Sequence, residues 1–237
     1  DKTYEAEMVL GTVTDTQDAT GTVTQQNPVG NYSVDRIRKT MSRFVGAITQ
    51  VPPVYSALKH RGVPLYKLAR RGVDVEKPAR MVRIHRLTLL GVALPTIRFS
   101  VSCTAGTYVR TLCADIGREL SCGGHLKALR RTASCGYSIE DAVSFGKLSQ
   151  YRDQGCLDNV VIPMKDALPF MPTTVADDSL ARKIQNGMKL SADDFPVPPN
   201  VSDQDVFKVI DPKDRLIAIL TGLTAAGRFN YCGVFSV

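Results

Sequence analysis

The stretch GTYVRTLCADIGREL, residues 106–120, sets one arginine where an anion is wanted. An alternating run leads into it, with Ile97, Phe99, Val101 and Cys103 apolar and Arg98, Ser100, Ser102 and Thr104 polar. That alternation predicts a half-buried strand, which Ala105-Gly106 then turns. Thr107 reads as a helix N-cap, because its hydroxyl can accept a hydrogen bond from a free first-turn amide. Arg110 then takes the third helical position, where a capping box carries Glu or Gln. A cation there faces the positive end of the helix dipole, at a cost of about 0.3–1 kcal/mol unless something compensates. Its helical neighbours Cys113 and Ala114 are uncharged, and Asp115, five residues on, has Arg118 as its own natural partner. Solvent, a backbone carbonyl or a structural ion pair would each satisfy Arg110. So would a carboxylate or phosphate held in a pocket at the helix N-terminus.

A second concentration of chemistry lies upstream. Residues 57–86 hold nine Lys or Arg against two acids, a balance equal to the +7 of the whole chain. Tyr55 and Tyr66 are interleaved with these cations, and Lys127, Arg130 and Arg131 form a smaller cluster. Cations for phosphates and aromatics for stacking are the chemistry of an RNA-binding arm. The plain alternative is a solvated face with ordinary loop prolines. Pro52-Pro53 favours an extended segment, and a short basic helix is expected from Pro64 to about Arg71, closed by Gly72.

The elements that must position these residues follow from periodicity and turn signals. Residues 3–13 read as a strand and 14–21 as a polar turn, in which Asp15 and Asp18 lack EF-hand spacing and are expected to be solvated. An amphipathic helix is expected over 33–48, with Ile37, Met41, Phe44 and Ile48 at helical spacing behind a Ser33 cap. Two antiparallel strands (82–93 and 96–104) precede the helix from Thr107. After it come HLKALRR (125–131), a strand near 132–139 and a helix from Ser138. Pro163, Pro169 and Pro172 mark a linker. Beyond it lie a short helix stopped by Gly187, a hairpin over 206–223 and a last strand at 231–237. The expectation is an α+β chain with a mixed, largely antiparallel sheet over residues 1–165 and a small β-rich domain over 166–237.

Composition bounds the rest. The chain has 237 residues, 43% of them hydrophobic, and a pI near 9.2, which suits a polyanionic partner. No run of eighteen apolar residues suggests a membrane span. The cysteines at 103, 113, 122, 135, 156 and 232 form no CxxC pair, and the histidines are His60, His85 and His125. A zinc site is not expected, and a reduced, cytoplasmic setting is, with most cysteines filling the core. The N-terminus reads as a strand already under way, which suggests missing upstream sequence.

The blocks KTYEAEMVLGTVTDTQDATG, QVPPVYSALKHRGVPLYKLARRG and GTYVRTLCADIGRELSCGGHLKALRRT resemble the TruB family of tRNA pseudouridine synthases, in order from residue 2 to about 137. The tail, with IQNG at 184–187, is similar to a PUA-type RNA-binding module. The resemblance implies the pseudouridine synthase fold and conversion of uridine 55 in the tRNA T-loop, without cofactor or metal. It implies that Arg110 pairs with a catalytic Asp, that Tyr4 stacks on the target base and that Tyr108 and Leu129 line the uridine pocket. It also implies that an insertion at about 52–80, with Lys59, Arg61, Lys67, Arg70 and Arg71, clamps the T-arm. The family's Gly-His-Thr-Gly-Thr-Leu-Asp-Pro segment, which carries the catalytic Asp, does not occur in these 237 residues. Asp15, Asp18 and Asp115 match other blocks and are not put in its place. Arg110 is therefore expected to be half of a pair whose other half lies on another segment or chain, and the 237 residues alone are expected to bind RNA weakly without turnover. Two other readings stand beside this one: a non-catalytic RNA-binding or tRNA-folding protein, and a small-molecule enzyme using Arg110 to hold a substrate carboxylate.

Overall fold

The computed structural model describes residues 1–235 except 54, 56–58, 61, 65–66, 68–77, 197–201, 203–204, 223 and 225–226. Two compact units divide at 142/143, so the linker prolines expected to end the first domain fall inside the second unit.

The first unit is built on a sheet whose strands alternate inward and outward. β1 (Lys2–Leu10) buries Ala6, Met8 and Leu10 and sends Glu5 and Glu7 outward. β2 (Thr12–Thr14) and β3 (Val23–Gln26) form a separate hairpin. α1 (Val34–Ser42) follows, capped by the Ser33 hydroxyl, which accepts from the Arg36 amide. The chain then re-enters the sheet as β4 (Gly46–Gln50). The helix expected over 33–48 therefore stops at Ser42. Gly46 sits at φ +105°, and Ile48, whose spacing looked helical, stands in a strand opposite Val82. β5 (Lys59–His60) and β6 (Val63–Pro64) pair briefly, so Pro64 closes a strand; of the helix expected from there to Arg71, only Lys67, which is helical, lies among the described residues after it.

β7 (Arg80–Ala93) and β8 (Thr96–Cys103) are the two expected antiparallel strands. α2 (Val109–Glu119) comes next, then β9 (Gly124–Ser134) and β10 (Tyr137–Ser138). HLKALRR and the strand expected after it are thus one strand, bent by two register shifts against β1. The sheet order is β10-β9-β1-β8-β7-β4, antiparallel throughout. α2 turns Val109, Leu112, Cys113 and Ile116 onto it. These meet Met8, Ile97, Phe99 and Val101 in one core, each fully buried large side chain contributing about 1.5–3 kcal/mol. Gly117 allows the close approach. A β-carbon there would lie 2.4 Å from the backbone of Gly123 and Gly124.

At the end of the first unit, Ser138 caps only a single 3-10 turn at Ile139–Asp141, in place of the helix expected from Ser138. The helix itself, α3 (Phe145–Asp153), starts from Ser144 in the second unit. The β-rich part carries α4 (Asp178–Gln185), capped by Asp177 and stopped at Gly187 with φ +63°. Its sheet combines β11 (Thr173–Val175), β12 (Leu190–Ser191), β13 (Val206–Ile210), β14 (Leu216–Thr221) and β15 (Arg228–Val234) in the order β11-β13-β14-β15-β12. The expected hairpin over Asp211–Asp214 is β13–β14. Its core is a triad of edge-on rings, Phe195, Phe207 and Phe229, with Leu180, Ile184 and Ile217. Lys208, between Phe207 and Val209 in the strand, is buried too, and its ammonium donates to the carbonyls of Lys165 and Leu168. This is the β-rich tail the sequence predicts, extended upstream by the proline stretch.

All six cysteines are free thiols. Cys103, Cys113 and Cys122 are buried, Cys156 is half-buried, and Cys135 and Cys232 are exposed. Three of the six fill the core, fewer than expected.

Candidate active site

Helix α2 begins one residue later than its sequence suggests. Tyr108, with extended backbone at φ −98° and ψ 107°, is the N-cap, and its own side chain makes no cap bond. Thr107 instead donates its hydroxyl to the Thr104 carbonyl at 2.9 Å. Arg110 is therefore the second helical residue, in a first turn that holds no acid.

The anion that answers Arg110 is inside the chain. Nη1 donates to Asp18 Oδ2 at 3.0 Å, and Nη2 donates to the Tyr55 carbonyl. Both side chains are about one-fifth exposed, Arg110 at 21% and Asp18 at 23%. The solvated turn expected at 14–21 is corrected here: its Asp18 is a partner of Arg110 within the 237 residues. Asp115 is bound to Arg118 at 2.7 Å, as the sequence predicts.

The loop that delivers Asp18 is fixed from both sides. Ala19 donates to the Leu126 carbonyl at 2.9 Å, and the Leu126 amide donates to Gln17 at 3.0 Å, which joins the loop to β9. Gln17 adopts φ +64°, and its side chain accepts from Thr111 on α2 at 2.8 Å. Asp15 accepts from the Thr22 amide. At Asp18, Oδ1 accepts from the Thr20 amide at 3.0 Å, the Thr20 hydroxyl at 2.6 Å and the Thr16 hydroxyl at 2.8 Å. Burial pushes this carboxyl up. The bonds from Thr20 and Thr16, with the Arg110 charge behind them, outweigh that and hold it below its ordinary value. Asp18 is thus an ionised carboxylate with both oxygens engaged. It suits aiming a guanidinium better than attacking a substrate. The opening beside it has a volume of about 420 Å³ and is lined by Asp15, Thr20, Tyr55 and Arg110 among others.

Residues 1–109 match the N-terminal domain of the TruB family pseudouridylate synthases, and residues 110–169 match the C-terminal domain of tRNA pseudouridylate synthase B. Two tRNA pseudouridine synthase B proteins align with 92% of the chain and 72% of their own length: that of Burkholderia mallei at 42% identity and that of Bacillus pumilus at 36%. The chain belongs to the TruB family. It is also 37% identical to the tRNA pseudouridine synthase B of Dehalococcoides mccartyi over 80% of its residues, and spans 63% of that relative. Among solved structures, a Cbf5-Nop10-Gar1 complex is similar at a TM-score of 0.73 and 22% identity, over 99% of this chain and 66% of the matched one. An H/ACA RNP bound to a substrate RNA containing 2'-deoxyuridine follows at 0.70 and 21%, over 100% of this chain and 66% of the matched one. These likenesses establish the α+β fold.

The other residues that the TruB resemblance singles out fall in three places. Tyr108 adjoins Arg110, whose guanidinium lies 5.8 Å from its ring centroid, and Arg80 lies over the same ring at 4.8 Å. Tyr4 stands on β1 opposite Val101 and Arg131, with the Arg131 guanidinium 5.7 Å from its ring centroid. Leu129 lies on β9 opposite Ala6 and is exposed. Strand pairing puts Tyr4, Ala6, Leu129 and Arg131 on the face of the sheet that carries the core. Of the basic residues, Lys59 contributes backbone to β5 and Lys67 is exposed, whereas Arg61, Arg70 and Arg71 lie outside the described residues, as does most of the helix expected to Arg71. Among the described residues no group of three His, Cys, Asp or Glu gathers, and no helix is long and apolar enough to cross a membrane.

Sequence reasoning missed two site residues. Asp18 was set aside because a loop aspartate carries no local sign of a partner across the fold. Gln50 was not singled out at all. It is buried at the end of β4, accepts from the Tyr108 amide at 3.0 Å and donates to the Tyr108 carbonyl at 3.3 Å. The polar residue closing an otherwise alternating strand just before Pro52-Pro53 was the available signal.

Proposed function

We propose that this chain is the arginine-bearing and RNA-holding part of a tRNA pseudouridine synthase that isomerises uridine 55 of the T-loop. The reaction breaks the N-glycosidic bond, turns the uracil and rejoins it through carbon, so no atom is gained or lost. The observation that carries the reading is Arg110. It sits at a helix N-terminus beside an open pocket, aimed by Asp18, in a chain 42% identical to a tRNA pseudouridine synthase B. A guanidinium has five N–H donors, and among the described residues Asp18 and Tyr55 account for one each. Others remain for a catalytic aspartate supplied from outside these residues, whose ionised form Arg110 would favour by charge and hydrogen bonding. Tyr4 stacks on the flipped base, Tyr108 and Leu129 line its pocket, and the basic residues Lys59, Arg61, Lys67, Arg70 and Arg71 clamp the T-arm. Extruding the base costs a few kcal/mol, of which stacking returns about 1–3. The β-rich tail serves as a PUA-like RNA contact, and the setting is the cytoplasm.

The test is to incubate the full-length gene product with a tRNA transcript and map pseudouridine by carbodiimide labelling and primer extension. A stop assigned to position 55, lost in a transcript carrying cytidine there, is expected. Tight tRNA binding with no pseudouridine would overturn the reading in favour of a non-catalytic RNA-binding protein.

A further inference from the structure

The turn that carries Tyr108 and Arg110 is held by Gln50, ahead of the basic stretch, and by Arg80 and Arg83 within it. The Gln50 side-chain amide makes a two-point clasp on Tyr108, with Oε1 on the N–H and Nε2 on the carbonyl. It is 1% exposed, and burying an amide so deeply is costly unless both ends are bonded. Arg80 lies late in the stretch. It donates to the Gly106 carbonyl and sits over the Tyr108 ring, 4.8 Å from its centroid, while its buried Nε has no hydrogen-bond partner among the described residues. A β-carbon on Gly106 would sit 3.5 Å from that guanidinium. The Thr104 hydroxyl accepts from the Arg83 amide, and the Thr104 amide donates to the Arg83 carbonyl, so β7 holds the start of the same turn.

Gln50 has no role in the strand ladder that would call for a buried amide. Its two bonds go to the one residue whose backbone must stay extended for α2 to start where it does. The side chain acts as a detached piece of strand, fixing the Tyr108 backbone while Arg80 fixes the ring. We infer that Gln50 is a positioning residue for the reaction, setting Tyr108 and through it the first turn that presents Arg110. The inference rests on the pseudouridine synthase reading for its consequence in catalysis, but the clasp itself is measurable without turnover.

The test pairs amide hydrogen exchange, resolved to Tyr108, with steady-state kinetics of the full-length gene product on tRNA. In the unsubstituted protein the Tyr108 amide should exchange far more slowly than an open turn amide. Exchange at an open-turn rate would overturn the clasp, even if every variant failed to fold. Gln50→Met keeps the volume and removes both bonds. It should speed that exchange and lower kcat about tenfold, with KM and RNA affinity within about twofold. Gln50→Glu keeps the acceptor for the Tyr108 amide and should retain its protection and part of the lost kcat. Unchanged kcat in Gln50→Met, or equal losses in both variants with the Tyr108 amide equally protected, would overturn the assignment. Absence of pseudouridine in the unsubstituted protein would sink the functional reading and leave the exchange result to judge the clasp.

Discussion

Asp18 and Arg110 meet at 3.0 Å although 92 residues separate them in sequence, one on a loop bonded to β9 and the other on the first turn of α2. The pair ties the hairpin loop to the helix start. It also relieves the awkwardness of a cation at the positive end of a helix, by an anion that its own helix does not supply.

Asp18 sets a pH signature. Its carboxyl is held below the ordinary 3.8 in the folded state. The stability it contributes is present above the unfolded pKa and is lost as pH falls through the lower folded value. Asp18→Asn should therefore be less stable than the unsubstituted chain near neutrality. The gap should close in acid, as read by urea denaturation at a series of pH values.

Asp115 should behave in the opposite sense. Burial pushes its carboxyl up, and Arg118 only partly offsets this. A raised pKa means that the charged form costs the folded state, so stability present in acid is lost as pH rises through the folded value. Asp115→Asn should match the parent in acid and be the more stable of the two at neutral pH, in the same denaturation series.

Arg110→Lys keeps the charge but cannot reach Asp18 and a second carboxylate with one planar fork. In the full-length gene product kcat should fall by about two to three orders of magnitude, the scale of removing one aimed donor. Affinity for a T-arm stem-loop, measured by filter binding, should stay within about threefold. Normal turnover would remove Arg110 from the chemistry.

Gly117→Ala tests the seat of α2. The added methyl would meet the Gly123 and Gly124 backbone at 2.4 Å, where no flexible side chain can yield. A loss of about 1–3 kcal/mol, the usual scale of overpacking, is expected in thermal unfolding.

Exposed Lys67, and Lys59, Arg61, Arg70 and Arg71, should each act through phosphates. Changing one to Ala should lower the slope of log affinity against log salt by about 0.7–0.9. A slope indifferent to several such changes would remove the clamp.

Much of the sheet can be read from the chain, because β1, β7 and β8 keep the two-residue alternation that a sheet with one core-packed face demands. Reading fails where the cause is distant. The start of α2 depends on Gln50, 58 residues from Tyr108, while Thr107 offers a plausible local cap that the fold does not use. β9 escapes because two register shifts break its alternation around Lys127–Arg131. In α1 the spacing of Phe44 and Ile48 continues past a chain reversal, and only Gly46 at φ +105° marks the break. Asp18 shows the same limit at the site: its role comes from backbone pairing with Leu126, to which no property of an aspartate points.

The buried ammonium of Lys208 decides how this protein can be cut. Its two acceptors, the carbonyls of Lys165 and Leu168, lie in the proline stretch, and Lys165 also reaches Asp214 on the hairpin turn. A C-terminal fragment begun at residue 166 would leave that buried cation one carbonyl short. One begun near 143 would carry its own lock. The proline-marked stretch is therefore less a hinge between two domains than the first strap of the second.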